Sequence, residues 1–375
     1  MLSSIPFNWS CVPPSPVFGL SPTSGGGPEP YDYLAINHTG NIMYVIFRES
    51  YLSPTVPVLL VSSDQGRLWK VCLYGVNISS IACDYSGEHV IVGGPRVRIS
   101  HDTGKTWRVL PEFVPHSYCV AAKGKGVFVV AGGNTTQLGG VGVYTSLDYG
   151  ETWTPHFMPY IASEPYNFSN IAIDATGTNI IAMAYGRVLY TSPDGGNSWV
   201  LQPVNASEMW TTSKLYYSGD MSTNGKYMIV VSYSGNFIRS DNYGASWHNV
   251  RKYFPVNDPI HPLGRFNLKP YDDGIRTRRV SMDASGKFII TNNLGTNTYN
   301  PVLSHLYLSS NYGETVWEED PNGPVGWSAV LSGNGQIALI GTSHTGGSSY
   351  SGLWVGTRSL GKNTTIYQDI DSTTF

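Results

Sequence analysis

The residues of this chain that could carry a reaction are gathered mainly in one stretch. Between His248 and Thr277 stand Arg251, Lys252, Asp258, His261, Arg265, Asp272, Asp273 and Arg276. Two carboxylates spaced across a sugar can serve as the acid and base of glycoside hydrolysis. Asp258, Asp272 and Asp273 are the candidates for that chemistry. Arg265 and Arg276, with Arg48 in Ile46-Phe47-Arg48-Glu49-Ser50, are candidates for ligand binding. Trp210 could stack on a sugar or a protein ligand. Each has a plainer structural role beside it: acidic residues in a long loop cap turns and pair with nearby arginines. The basic run Arg276, Arg278 and Arg279, close to Asp272 and Asp273, reads as a mixed-charge loop. The sequence contains no Gly-rich phosphate loop, nucleophile elbow or His/Cys cluster at metal-ligand spacing, so no cofactor and no metal is expected.

The rest of the chain must position that stretch, and its composition limits how. Charged residues are only 13% of the 375, about half the usual share. Twenty-five Tyr, 10 Trp and 42 Gly suit many short strands joined by tight turns. A net charge of −3 without a basic stripe argues against a nucleic-acid partner. No apolar run approaches the ~20 residues of a membrane-spanning helix. The cysteines, Cys11, Cys72, Cys83 and Cys119, lack CxxC spacing. Four buried thiols is the plainer reading, and one or two disulfides the alternative. Sequons at Asn8, Asn37, Asn77, Asn134, Asn167, Asn205 and Asn363 favour an extracellular or particle-surface setting, although the N-terminus does not read as a signal peptide.

One phrase occurs six times: Ser-x-Asp/Asn-x-Gly, with a Trp three or four residues beyond the Gly. Its acidic or amide residue and its Trp are Asp64 and Trp69, Asp102 and Trp107, Asp148 and Trp153, Asp194 and Trp199, Asn242 and Trp247, and Asn311 and Trp317. The copies begin at Ser62, Ser100, Ser146, Ser192, Ser240 and Ser309, hence 38, 46, 46, 48 and 69 residues apart. A period in the forties fits a four-stranded propeller blade. The long interval is accounted for by the charged stretch from His248 to Thr277.

Upstream of each copy lies a second repeated unit: an alternating strand, a Gly-containing turn and a strongly apolar strand. Ile171-Ala172-Ile173-Asp174-Ala175-Thr176-Gly177 leading to Ile180-Ile181-Ala182 is typical. This unit occurs seven times, first at Leu34–Gly40 and last at Ala329–Gly335. Thr357-Arg358-Ser359-Leu360-Gly361 resembles a decayed seventh copy of the phrase. Seven blades are therefore expected. An open ring would leave unpaired edges. Asn8-Trp9-Ser10-Cys11-Val12, within an N-terminal segment of residues 1–30, is the favoured closing strand. Thr365–Gln368, in a C-terminal tail of residues 362–375, is the alternative.

In the repeated phrase, the Ser and Asp side chains can accept bonds from backbone N–H groups of their own turn, and the Trp is an aromatic peg. The phrase resembles the Asp box, or BNR repeat, of the sialidase-like β-propellers. Those include sialidases, oligoxyloglucan-type glycosidases, sortilin-like receptors and photosystem II assembly factors of the Ycf48 kind. The resemblance spans residues 30 to 361 and implies an all-β, seven-bladed propeller occupying 1–375 as a single domain. It implies boxes that act structurally, away from any active centre. It does not carry over a sialidase site, because the opening Arg-Ile-Pro phrase is missing. The expectation is a non-catalytic binding or assembly module that recognises a protein or glycan through its long-loop face. It could be a homo- or hetero-oligomeric part of a surface or virion-type structure. A glycoside hydrolase using the loop carboxylates is the alternative.

Overall fold

The computed structural model describes residues 7–12, 29–48, 57–110, 117–132, 142–158, 168–184, 188–202, 216–232, 237–250, 275–295, 305–314, 318–320, 323–324, 328–342 and 352–359. These residues form 28 strands, numbered β1 to β28 in chain order, and no helix. They make seven four-stranded antiparallel sheets. Blade 1 runs outward through β2 (Glu29–Ile36), β3 (Met43–Arg48), β4 (Pro57–Ser62) and β5 (Lys70–Tyr74). Blades 2 to 6 repeat that order. Their innermost strands are β6 (Ser80–Cys83), β10 (Ser117–Ala122), β14 (Phe168–Ile173), β18 (Tyr216–Met221) and β22 (Ile275–Met282). Blade 7 contains β26 (Ser328–Leu331), β27 (Ile337–Thr342), β28 (Gly352–Thr357) and, outermost, β1 (Asn8–Cys11). Asn8 lies opposite Thr357 and Cys11 opposite Trp354. The innermost strands neighbour one another in sequence order, and β26 neighbours β2. The molecule is a seven-bladed β-propeller.

The core lies between blades. Seven apolar clusters are present among the described residues, one at each junction. Blades 7 and 1, for example, share Leu339, Leu353 and Val355 with Met43, Val45 and Leu60. The second strand of each blade is covered on both faces, which is why runs such as Val90-Ile91-Val92 and Met228-Ile229-Val230-Val231 are continuously apolar. Each such side chain contributes roughly 1.5–3 kcal/mol on burial.

The repeated phrase forms the turn between the third and fourth strands. Ser62 Oγ accepts the Gly66 N–H at 2.9 Å and donates to Asp64 Oδ1 at 2.7 Å, and Asp64 Oδ1 accepts the Leu68 N–H at 2.9 Å. The Ser-to-Gly and Ser-to-Asp/Asn bonds recur at Ser100, Ser146, Ser192, Ser240 and Ser309. The residue before the Gly adopts a positive φ, about 61° at Gln65, Tyr149, Tyr243 and Tyr312. A side chain there costs about 1–2 kcal/mol. The conformation aims its N–H at the hairpin of the same blade: Gln65 to Asn41 O, Tyr149 to Gly126 O, Tyr243 to Lys226 O and Tyr312 to Lys287 O. The indole N–H groups of Trp69, Trp107 and Trp153 bond the carbonyls of Gly66, Gly104 and Gly150.

Four sequence expectations are corrected. Cys11 is exposed rather than buried, on the outermost strand; Cys72 is half-buried and Cys83 buried, all three unpaired. The stretch from His248 to Thr277 is not loop throughout: His248–Asn249 is an outer strand and Ile275 opens β22. Arg279 likewise stands in β22 and not in a mixed-charge loop. The Asn37 sequon is closed to modification in the folded chain, because Asn37 is buried and its amide nitrogen bonds Asn41 Oδ1 and Ser86 O, both at 2.8 Å.

Blade 7 lacks the Ser-x-Asp/Asn-x-Gly turn, and Arg358 stands in its place. The Arg358 side chain is buried, lies 4.5 Å from the Phe7 ring and 4.4 Å from the Phe288 ring, and donates from Nε to Gly335 O at 2.7 Å. Trp9 covers Gly356 and donates its indole N–H to Asp320 at 2.9 Å. A desolvated cation–π contact is worth about 2 kcal/mol and a charged hydrogen bond about 1.5–3. Arg358→Ala is accordingly expected to lower stability by about 3 kcal/mol in denaturant titration, and Arg358→Lys by less.

Candidate functional site

The inner edges of the seven sheets surround a central channel, and the repeat allows equivalent positions to be compared around it. In six blades the residue just after the innermost strand caps the following hairpin: Asn37, Asp84, Asp174, Ser222, Asp283 and Ser332. Asp84 Oδ1 accepts the Gly87 N–H at 2.9 Å, Ser222 Oγ the Tyr227 N–H at 2.9 Å and Asp283 Oδ1 the Phe288 N–H at 3.0 Å. Blade 3 departs from this pattern with Lys123. Two residues earlier the blades carry Ala35, Ala82, Ala121, Ala172, Asp220, Ser281 and Val330. The outlier there is Asp220. The two outliers find each other: Lys123 Nζ lies 2.9 Å from Asp220 Oδ1, with both side chains 19% exposed.

Lys123 belongs to blade 3 and Asp220 to blade 5. With blade 4 between them, their side chains meet across the channel. Lys123 Nζ also bonds Met282 O at 3.4 Å, and Asp220 Oδ2 accepts the Met282 N–H at 2.9 Å, so blades 3, 5 and 6 are tied at the axis. His38, at the rim in blade 1, stacks on Tyr85 at 4.2 Å. Burial, reinforced by the Lys123 charge, lowers its pKa to about 4 and keeps the imidazole neutral.

A second pair of outliers lies one step deeper. Four residues before the cap the chain carries Tyr33, Ser80, Cys119, Asn170, Ser218, Arg279 and Ser328. Tyr33 and Arg279 are the two large members, and the Arg279 guanidinium sits 5.2 Å from the Tyr33 ring centre. They come from blades 1 and 6, with blade 7 between, and so also meet across the channel. Asn170 and Ser218 at this level accept N–H groups of the next blade, from Gly219 and Val280. The hydroxyls of Ser80 and Ser328 are buried without a hydrogen-bond partner.

Of the residues singled out from sequence, Asp258, Asp272, Asp273, Trp210, Arg265 and Trp317 lie outside the described residues. Arg48 ends β3, paired with Pro57, and Arg276 lies in β22 opposite Leu294. The box residues form the turns already described, and their carboxylates are taken up by backbone N–H groups and hydroxyls. Among the described residues, no group of three His, Cys, Asp or Glu side chains could hold a metal ion, and no helix is long and apolar enough to cross a membrane. Sequence reasoning overlooked Lys123, Asp220 and Tyr33, and it read Arg279 as part of a mixed-charge loop. Aligning the seven hairpins on their cap residue would have exposed them as departures from the repeat.

The fold and its axial polar cluster define a seven-bladed propeller with a chemically distinct centre. The chain is similar to the solved structure of YCF48 bound to D1 peptide, at 13% identity and a TM-score of 0.57, covering 96% of this chain and 98% of that one. It is also similar to YCF48 from Cyanidioschyzon merolae, at 15% identity and a TM-score of 0.58, over 93% and 98% of the two chains. The Cps50 (Swd1) β-propeller domain of Myceliophteria thermophila gives 12% identity and a TM-score of 0.57, over 89% and 99%. At these identities the likeness is one of fold. No family model and no curated protein matches the chain.

Acid should destabilise the fold in two stages. His38 and His101 both have pKa values lowered by burial, and the charges of Lys123 at His38 and of His89 at His101 act in the same direction. The unfolded chain therefore binds protons first, and stability falls as pH drops from about 6.5 towards 4. Below that range the box carboxylates lose their bonds, with Asp102 held down to about 2 mainly by hydrogen bonds from Thr106 and Ser100 that outweigh its desolvation. Thermal melting against pH should show both stages, and His38→Gln should flatten the first.

Proposed function

We propose that this propeller is a non-catalytic module that binds a protein partner through the face opposite its box turns. The observation that carries the reading is how the polar groups at the box face and the axis are used. The box face spends its turns on internal bonds, and Asp220 at the axis is held in an ion pair. The longest stretch between consecutive strands, 251–274, joins the end of His248–Asn249 to the start of β22, both on the side opposite the box turns, and long connections on a rigid scaffold are where recognition concentrates. One propeller of similar fold was solved bound to a peptide, and another of similar fold belongs to a solved mitotic checkpoint complex. Low charge and exposed Asn8 and Asn77 sequons favour a surface or particle assembly. The boxes themselves are read as Asp boxes of the sialidase-like kind, used for their fold alone.

A glycan array, run beside hydrolysis assays on sialosides and β-glucans, is expected to give neither binding nor turnover. Replacing 251–274 by a short Gly–Ser linker should leave the melting midpoint within about 3 °C, because loop length costs little, and should abolish co-assembly with the partner. Turnover that disappears in Asp272→Asn/Asp273→Asn would contradict this reading and make the chain a glycoside hydrolase. Glycan binding without turnover would make it a lectin-like propeller.

A further inference from the structure

We propose that the central channel is a binding site for a single carboxylate group, with Arg279 as the residue that pairs with it. The inference is independent of the partner-binding face and rests on two observations and on the chemistry of the guanidinium. Arg279 occupies a position that five other blades fill with Ser, Cys or Asn, and its guanidinium crosses to Tyr33 of blade 1. Its guanidinium meets the Tyr33 ring, and among the described residues no carboxylate lies within ion-pairing distance. A guanidinium cannot shed its charge and carries five donors in a fork that matches a carboxylate. A stacked ring holds that fork in plane without using its N–H groups.

The surrounding charges select the class of ligand. One step towards the box face, Lys123 and Asp220 neutralise each other, which leaves the Arg279 charge uncompensated among the described channel residues. A single uncompensated guanidinium beside a neutral ion pair balances one negative charge, which favours a monoanion over phosphate or sulfate. The hydroxyls of Ser80 and Ser328 stand at the same register step in blades 2 and 7, buried and without partners. With Tyr33 in blade 1 and Arg279 in blade 6, they form a continuous arc of four blades that offers one cation and two unpartnered serine hydroxyls. The carboxylate could be a free small acid or the end of a peptide. The recognition chemistry is the same.

The test is a titration of the full chain followed by thermal shift and tryptophan fluorescence at constant ionic strength. The probes are acetate, inorganic phosphate, and a short Gly–Ala peptide with a free or an amidated C-terminus. Saturable binding of acetate or of the free-acid peptide, with phosphate and the amidated peptide weaker, is expected. Preference for the peptide over acetate assigns the carboxylate to a chain end, and the reverse to a free acid. Arg279→Gln should weaken binding at least about tenfold, the loss of one charge-assisted contact. Lys70→Gln, on the exposed outer strand of blade 1, should leave it unchanged. Should Arg279→Gln fail to fold, Arg279→Lys and Tyr33→Leu must each weaken binding. Absence of saturable carboxylate binding in the wild type, or undiminished affinity in the Arg279 and Tyr33 variants, would overturn the proposal.

Discussion

The structure depends on a ring of backbone hydrogen bonds between hairpin turns of successive blades. His38 N–H bonds Tyr85 O, Tyr85 N–H bonds Gly124 O, Ala175 N–H bonds Thr223 O, Thr223 N–H bonds Ala284 O, and Ala284 N–H bonds Gly333 O. Asn334 N–H returns to His38 O at 2.9 Å and joins the last blade to the first. At the remaining junction Gly124 approaches the Ala175 carbonyl so closely that a Cβ would collide with it. Backbone groups at the inner edge of a sheet have no strand to pair with and must find partners elsewhere. Here, at six of the seven junctions, one blade supplies the partner for the one beside it. Packing and hydrogen bonding then demand the same thing, namely that all the blades be present and in register.

That demand explains features that would otherwise be costs. The box turns hold tyrosines at positive φ because the conformation fastens the outer half of each blade to its own hairpin. Two of those rings then reach the preceding blade, with Tyr149 on His89 at 4.4 Å and Tyr312 on Tyr227 at 4.3 Å. The box glycines accept the neighbour at close range: Gly66 meets Val355, Gly104 meets Cys72 and Gly244 meets Thr191. A box is thus both a closed local network and a joint between blades. In blade 7, Arg358 between Phe7 and Phe288, with Trp9 over Gly356, makes that joint by other means, and the N-terminal strand is drawn into the ring.

Much of this was legible in the sequence because it is repeated. The Ser-x-Asp-x-Gly phrase, the Gly of each hairpin and the continuous apolar second strands state one physical solution many times, and the spacing of the copies counts the blades. The centre was not legible for the opposite reason. Lys123, Asp220, Tyr33 and Arg279 each occur once, in strands or turns that look ordinary by periodicity, and their partners lie two blades away. The charged stretch around Asp272 and Asp273 stands out by density of charge alone, and it lies outside the described residues. Arg358 was hidden in the same manner: the absence of a seventh box read as decay, although a different set of contacts occupies its place.

The central claim is that the blades are stabilised as one ring rather than as separate sheets. Native-state hydrogen exchange of the linking amides, at His38, Tyr85, Ala175, Thr223, Ala284 and Asn334, tests it most directly. The account predicts that all six exchange only through global unfolding, with one shared free energy and one shared dependence on denaturant. Exchange at distinct free energies, blade by blade, would contradict it.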